Sequence, residues 1–81
     1  MVFKVTIQAT AVEEKDWHVV ATGTWIPGQQ PELENEVLPA EVLATLFAVS
    51  PSGTEKSRRN EARCEGTAYA IVFRRIENRR C

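Results

Sequence analysis

The chain has 81 residues, of which 43% are hydrophobic and 26% charged, and its net charge is −1. This composition is that of an ordinary globular domain and excludes disorder over most of the length. No apolar run approaches the ~20 residues of a membrane-spanning helix, and the N-terminus lacks the apolar core of a signal peptide. We therefore expect a cytoplasmic protein that forms one domain over residues 1–76, followed by a short basic tail at 77–81.

Two segments alternate polar with apolar residues, as half-buried strands do, and they cover residues 2–12 and 17–26. The four charged residues between them predict a turn, so the two segments should form a hairpin. Matching their apolar faces predicts the following pairs: Phe3–Trp25, Val5–Gly23, Ile7–Ala21, Ala9–Val19 and Ala11–Trp17. Thr6 and Thr22 then meet on the polar face. Gly23 predicts either space for a large neighbour or a bulge.

Pro27 and Gly28 predict a turn after the hairpin, followed by a loop that contains a short extended piece near residues 33–37. A helix is predicted over residues 39–49. Proline is well tolerated in a first helical turn, and the helical spacing gives one apolar stripe. That stripe is formed by Val42, Leu43, Leu46, Phe47 and Val49.

The second half is less regular. Ser52 and Glu55 have the spacing of a helix capping box, but residues 52–63 contain little apolar surface. This segment is therefore predicted to be a mobile loop or a short exposed helix. Residues 64–76 are predicted to form the last strand, apolar on both faces.

The small Ala68 and Ala70 should let the helix approach the last strand. The larger Tyr69, Ile71 and Phe73 would then need another cover, such as a subunit partner or a binding target. The predicted fold is α+β, with a three-stranded, antiparallel-type sheet, one packed helix and the order strand–strand–helix–strand.

The residues of catalytic and metal chemistry are few: one histidine, His18, and two cysteines, Cys64 and Cys81. Zinc sites need three or four such ligands, and nucleophilic catalysis needs an activated nucleophile beside a base. The sequence predicts no metal, no cofactor and no enzymatic activity. Cys64 is interpreted as a small filler under the helix, and a bridge to Cys81 stays an alternative.

Charge is divided unevenly along the chain. Residues 1–53 contain two basic and seven acidic side chains, whereas residues 54–81 contain eight basic and four acidic ones. This asymmetry indicates either a polarised binding surface or chance. Arginine forms bidentate contacts and is enriched at interfaces, although a solvated face would look the same. The candidate binding residues are Arg58, Arg59, Arg74, Arg75, Arg79 and Arg80.

These observations favour a non-enzymatic protein-interaction module, such as a small viral or bacterial accessory or inhibitor protein that binds a protein partner. A homodimer is one form of such binding, and Trp17 near the turn is a candidate anchor. The alternative is a nucleic-acid-binding protein that uses the 56–63 loop and the C-terminal end. It ranks second because the isoelectric point of about 5.8 is far below that of typical nucleic-acid-binding domains. A small enzyme assembled from several copies ranks third.

Overall fold

The computed structural model describes residues 2–35 and 38–76. In chain order its elements are β1 (Val2–Ala11), β2 (His18–Trp25), β3 (Glu32–Asn35), α1 (Ala40–Leu46), β4 (Ser57–Cys64) and β5 (Thr67–Ile76). The strands form one antiparallel sheet in the order β3-β2-β1-β5-β4. The fold is still broadly α+β, but the prediction of a three-stranded sheet is wrong, because the sheet has five strands. The predicted tail at 77–81, with Arg79 and Arg80, lies outside the described residues.

The β1–β2 hairpin follows the predicted register over its first part. Phe3 opposes Trp25, Val5 opposes Gly23 and Ile7 opposes Ala21. The register then shifts at a bulge between Ile7 and Gln8, so that Ala9 opposes His18.

The bulge makes the last two predicted pairs wrong: Ala9 does not face Val19, and Trp17 lies before β2 begins. Val19 and Val20 are both apolar, so the sequence contains no penalty against the slip.

Residues 52–76 form a turn and a hairpin, where one loop or helix and one strand were predicted. β4 and β5 are joined by Glu65 and Gly66 at φ of 48° and 81°, as a two-residue hairpin turn requires. Side chains of β4 alternate between exposed and half-buried, but Arg58 and Asn60 occupy half of its inner face, so its hydrophobic pattern is weak. The predicted capping contact does form, without a helix: the backbone N–H of Ser52 donates to Glu55 Oε1 at 2.7 Å.

The short extended piece predicted at 33–37 overlaps β3, which lies at the edge of the sheet beside β2, and its residues 36 and 37 lie outside the described residues. Gly23 of β2 faces Leu33 of β3. A Cβ at Gly23 would overlap the carbonyl oxygen of Glu32. This glycine therefore permits the close approach of the β3 backbone.

Helix α1 is shorter than the predicted 39–49. Pro39 is its N-cap, and its last turn is closed by the backbone N–H of Phe47, which donates to Leu43 O at 3.0 Å. Asn60 of β4 then donates through Nδ2 to the carbonyl oxygens of Leu46 and Val49, at 2.9 Å each. The C-terminal end of α1 is thus attached to β4. Among the described residues, no helix is long and apolar enough to cross a membrane.

The core lies between α1 and one face of the sheet. Its aromatic centre is Trp25, whose ring centroid lies 5.2 Å from that of Phe47 and 5.4 Å from that of Phe73. The other buried apolar members are Phe3, Val5, Ile7, Ala21, Leu38, Val42, Leu46 and Ile71.

This packing reverses the predicted faces of the last strand. Ile71 and Phe73 are fully buried in the core, and Tyr69 packs against it. Ala68 and Ala70 have the opposite parity, so they lie on the face away from α1. The large side chains of β5 therefore need no external cover.

Gly23→Ala should destabilise the protein by about 1–3 kcal/mol, because the added methyl group must displace the β3 backbone. Urea unfolding followed by circular dichroism measures the loss. Gly53→Ala is the matched control, since nothing lies within 4 Å of a Cβ placed there. Equal unfolding midpoints for the two variants would contradict the close approach of β3.

Candidate functional site

The sheet face opposite α1, called the open face below, carries most of the exposed polar side chains of the strands. Direct cross-strand partners share a face, so the register assigns its members. From β3 to β4 they are Glu32 and Glu34; Val19, Thr22 and Thr24; Val2, Lys4, Thr6, Gln8 and Thr10; Ala68, Ala70, Val72, Arg74 and Ile76; and Ser57, Arg59, Glu61 and Arg63.

Toward one end of the two central strands, β1 and β5, two cations stand directly opposite each other on the open face. Lys4 of β1 pairs with Arg74 of β5, and both side chains are exposed. They border a groove of about 270 Å³ that Thr6, Gln8 and Val72 also line. Within the described part of the chain, neither cation has an acidic partner within 4.0 Å. Like charges in this position repel each other.

Arg59, by contrast, is already engaged. Its guanidinium carbon lies 5.0 Å from the ring centroid of Trp17, and its Nε donates to Glu61 Oε2 at 3.1 Å. The contact with Arg59 places Trp17 over the open face, where the ring is half-buried. Thr10 and Ala70 at this end of the face are buried as well. Trp17 is therefore partly covered, unlike the exposed anchor that the sequence suggested.

The charges of the open face are polarised across the strands. Glu32 and Glu34 lie on the edge strand β3, whereas Arg59 and Arg63 lie on the opposite edge strand β4. Among the described sheet positions the face has four cations, Lys4, Arg59, Arg63 and Arg74, and three acids, Glu32, Glu34 and Glu61. The surface is thus a gradient of mixed charge.

The structure separates the predicted binding arginines. Arg59 and Arg74 lie on the open face, but Arg58 and Arg75 have the opposite parity. Arg58 Nη1 lies 3.3 Å from Glu55 Oε2, and its Nε donates to Asn60 Oδ1 at 3.0 Å.

Arg75 Nη1 donates to the carbonyl oxygen of Gly53 at 2.6 Å. These two arginines hold the 52–56 turn against the sheet. Arg79 and Arg80 lie outside the described residues.

Sequence reasoning missed Lys4 as a member of the site. The alternating pattern placed Lys4 on the polar side of the first strand, but no feature of the neighbouring sequence shows that β5 lies beside this strand. Val2–Ala11 and Thr67–Ile76 are separated by most of the chain, so their pairing brings Lys4 to Arg74 only in the folded protein.

Cys64 lies in an environment that disfavours a nucleophile. Its Sγ donates to Glu41 Oε1 of α1 at 3.1 Å. This hydrogen bond raises the pKa of the Cys64 thiol, and partial burial and the charges of Glu41 and Glu65 add to the effect. Because the thiolate is the reactive form, the thiol is less nucleophilic at neutral pH.

His18 is the only histidine of the chain, and it is remote from Cys64. It lies in β2, three strand spacings from β4, which corresponds to about 14 Å. The exposed ring of His18 has its Nε2 3.7 Å from Asp16 Oδ2. Within residues 2–35 and 38–76, no three His, Cys, Asp or Glu side chains form a group that could hold a metal ion.

Comparison with protein-family models, with curated proteins and with solved structures gave no match. The geometry of the open face is therefore the basis on which a function can be proposed.

Glu41→Ala should lower the pKa of the Cys64 thiol, because it removes the hydrogen-bond acceptor and the nearest negative charge. In a Cys81→Ser background, the rate of alkylation by iodoacetamide should then reach its plateau at a lower pH. Glu14→Ala is the control for loss of a carboxylate elsewhere. A change in plateau rate without a change in the pH midpoint would indicate altered exposure and would contradict the assigned cause.

The turn at 52–56 should contribute a pH-dependent part of the stability. The backbone N–H of Ser52 and then the charge of Arg58 lower the pKa of Glu55 below its ordinary value of 4.5. A group with a lowered pKa stabilises the fold above its unfolded-state pKa, and this contribution is lost as the pH falls through the folded-state value.

Glu55→Gln should therefore lower the urea midpoint at pH 7, and its difference from the unaltered protein should shrink below pH 4.5. Glu14→Gln serves as the control. A difference that persists unchanged at pH 3 would show that the carboxylate charge is not the cause.

Proposed function

We propose that this protein is a non-enzymatic, cytoplasmic protein-interaction module that binds a partner through the open face. The observation that supports this most strongly is the charge gradient on a sheet face that α1 leaves uncovered. Complementary charge patterns on two surfaces guide association and exclude wrong partners. A small accessory or inhibitor protein would work in this way.

The chemistry of the open face supports binding over catalysis. Its central positions are occupied by threonine, glutamine and valine side chains, with cations on either side. The thiol with the raised pKa, Cys64, shares the face of α1 and contacts its Glu41. Catalysis on the open face would require an activated nucleophile or base there. The described residues of this face include neither histidine nor cysteine.

Nucleic acid is the second candidate, favoured by the contact between Arg59 and Trp17, since aromatic rings and arginines bind bases and phosphates. The segment to which the sequence assigned this role is a strand, and its Arg58 is turned to the other face. Glu32, Glu34 and Glu61 on the open face would repel a phosphate backbone. A protein surface with alternating charges fits better.

The partner is proposed to be a different protein. The reason for expecting a homodimer was the set of large side chains on the last strand, and Ile71 and Phe73 are buried inside the monomer.

The test is a substitution at the middle of the open face. Thr22→Arg places a long side chain there, and Ala48→Arg, after the helix on the other side of the molecule, is the matched control. A partner captured from the native host and then purified should bind the Thr22 variant at least tenfold more weakly in calorimetry. The Ala48 variant should bind normally.

Loss of binding in the Ala48 variant alone would place the interface elsewhere and overturn the proposal. Tight binding of random DNA that falls steeply with salt would favour the nucleic-acid alternative instead. A molar mass that rises with protein concentration toward that of a dimer in light scattering would indicate that the partner is a second copy of the chain.

A further inference from the structure

We infer that the partner presents an acidic segment, one carboxylate of which binds between Lys4 and Arg74 on the open face. This inference rests on the proposed function and names the chemistry of the partner at that surface.

The first support is the geometry of the two cations. Lys4 and Arg74 are direct cross-strand neighbours, so their Cβ atoms are about 4.5–5.5 Å apart. Both side chains are exposed, and within residues 2–35 and 38–76 no acidic group lies within 4.0 Å of either. A bound anion would relieve the repulsion between them.

The second support is the contrast with Arg59, which belongs to the same face. Arg59 already has Glu61 as an ion-pair partner and Trp17 as a stacking partner. Arg74 has neither kind of partner among the described residues. Of these two arginines, Arg74 is the one whose bidentate donor pair is available to a carboxylate.

The third support is the groove between the cations and its lining. Its volume of about 270 Å³ is sufficient for an acidic side chain, and Thr6 and Gln8 add hydroxyl and amide groups. Val72 provides an apolar contact for the methylene carbons that carry the carboxylate. β1 and β5 are central strands, each paired on both sides, so the two cations are held on a rigid support.

A protein carboxylate fits this site better than a phosphate of a nucleic acid. The cation pair is local, and Glu32 lies two strands away in the same cross-strand row as Lys4. A nucleic-acid strand has a charge on every nucleotide and would run past these acids. A peptide can place one carboxylate in the groove and neutral or basic residues beside Glu32 and Glu34.

The experiment uses the full chain, labelled with ¹⁵N and titrated with an end-blocked hexaglutamate peptide in 50 mM salt. The amide signals of Lys4, Thr6, Val72 and Arg74 should shift in a saturable way. Lys4→Gln and Arg74→Gln should each weaken binding about tenfold, the loss expected for a charge-assisted hydrogen bond. Lys56→Gln in the turn and Arg63→Gln on the open face are controls for loss of one positive charge.

Equal binding of a hexaglutamine peptide, or equal losses in all four variants, would overturn the inference. So would tighter binding of a hexathymidylate strand. Urea unfolding tests the premise separately, because removal of one repelling cation should leave the midpoint unchanged or raise it. A lower midpoint in both Lys4→Gln and Arg74→Gln would show that the pair is stabilising in itself and would overturn the inference.

The two proposals fail differently. If the captured partner is displaced by Thr22→Arg but binds Arg74→Gln at full strength, the open face is the interface and the carboxylate site is wrong. If Thr22→Arg does not weaken binding of the partner, the proposed function itself fails.

Discussion

The antiparallel pairing of β1 with β5 is the contact on which the rest of the structure depends. It joins Val2–Ala11 to Thr67–Ile76 and turns two hairpins from opposite ends of the chain into one sheet. On one face it places Val5 beside Phe73 and Ile7 beside Ile71, the floor on which α1 packs. On the other face it places Lys4 beside Arg74. Core and candidate site are therefore two consequences of one strand pair, because neighbouring residues in a strand point to opposite faces.

The sequence was sufficient where local chemistry decides the structure. Strict alternation defined β1 and most of its register with β2, and Pro39 marked the start of α1. The sequence was insufficient where the local structure depends on a contact with a residue far away in the chain. The end of the helix is one example: the carbonyl oxygen of Leu46, its last residue, accepts a hydrogen bond from Asn60, fourteen residues further along the chain. β4 was not predicted as a strand, because Arg58 and Asn60 are polar residues on its inner face and interrupt the alternation of polar and apolar residues.

The candidate site was predicted in part. Arg59 and Arg74, two of the predicted binding residues, lie on the open face, but the position of Lys4 beside Arg74 depends on the order of the strands. The assignment of small and large residues on β5 failed because size alone does not determine which face a helix covers. Ala70 can be buried on the open face because the loop that carries Trp17 lies over that end of the sheet. Small side chains there make room for an indole ring.

The acidic and basic halves of the sequence do not form separate acidic and basic regions in the folded protein. Acidic residues of the first half and arginines of the second half share the open face, at edges about 19 Å apart across four strand spacings. Arg58 and Arg75 are used within the fold, so the basic half does not form a single patch. A gradient of this kind discriminates by orientation, since a partner turned around would bring like charges together at both edges. Binding energy can then come from a few local anchors, while the gradient selects which partner and which orientation reach them.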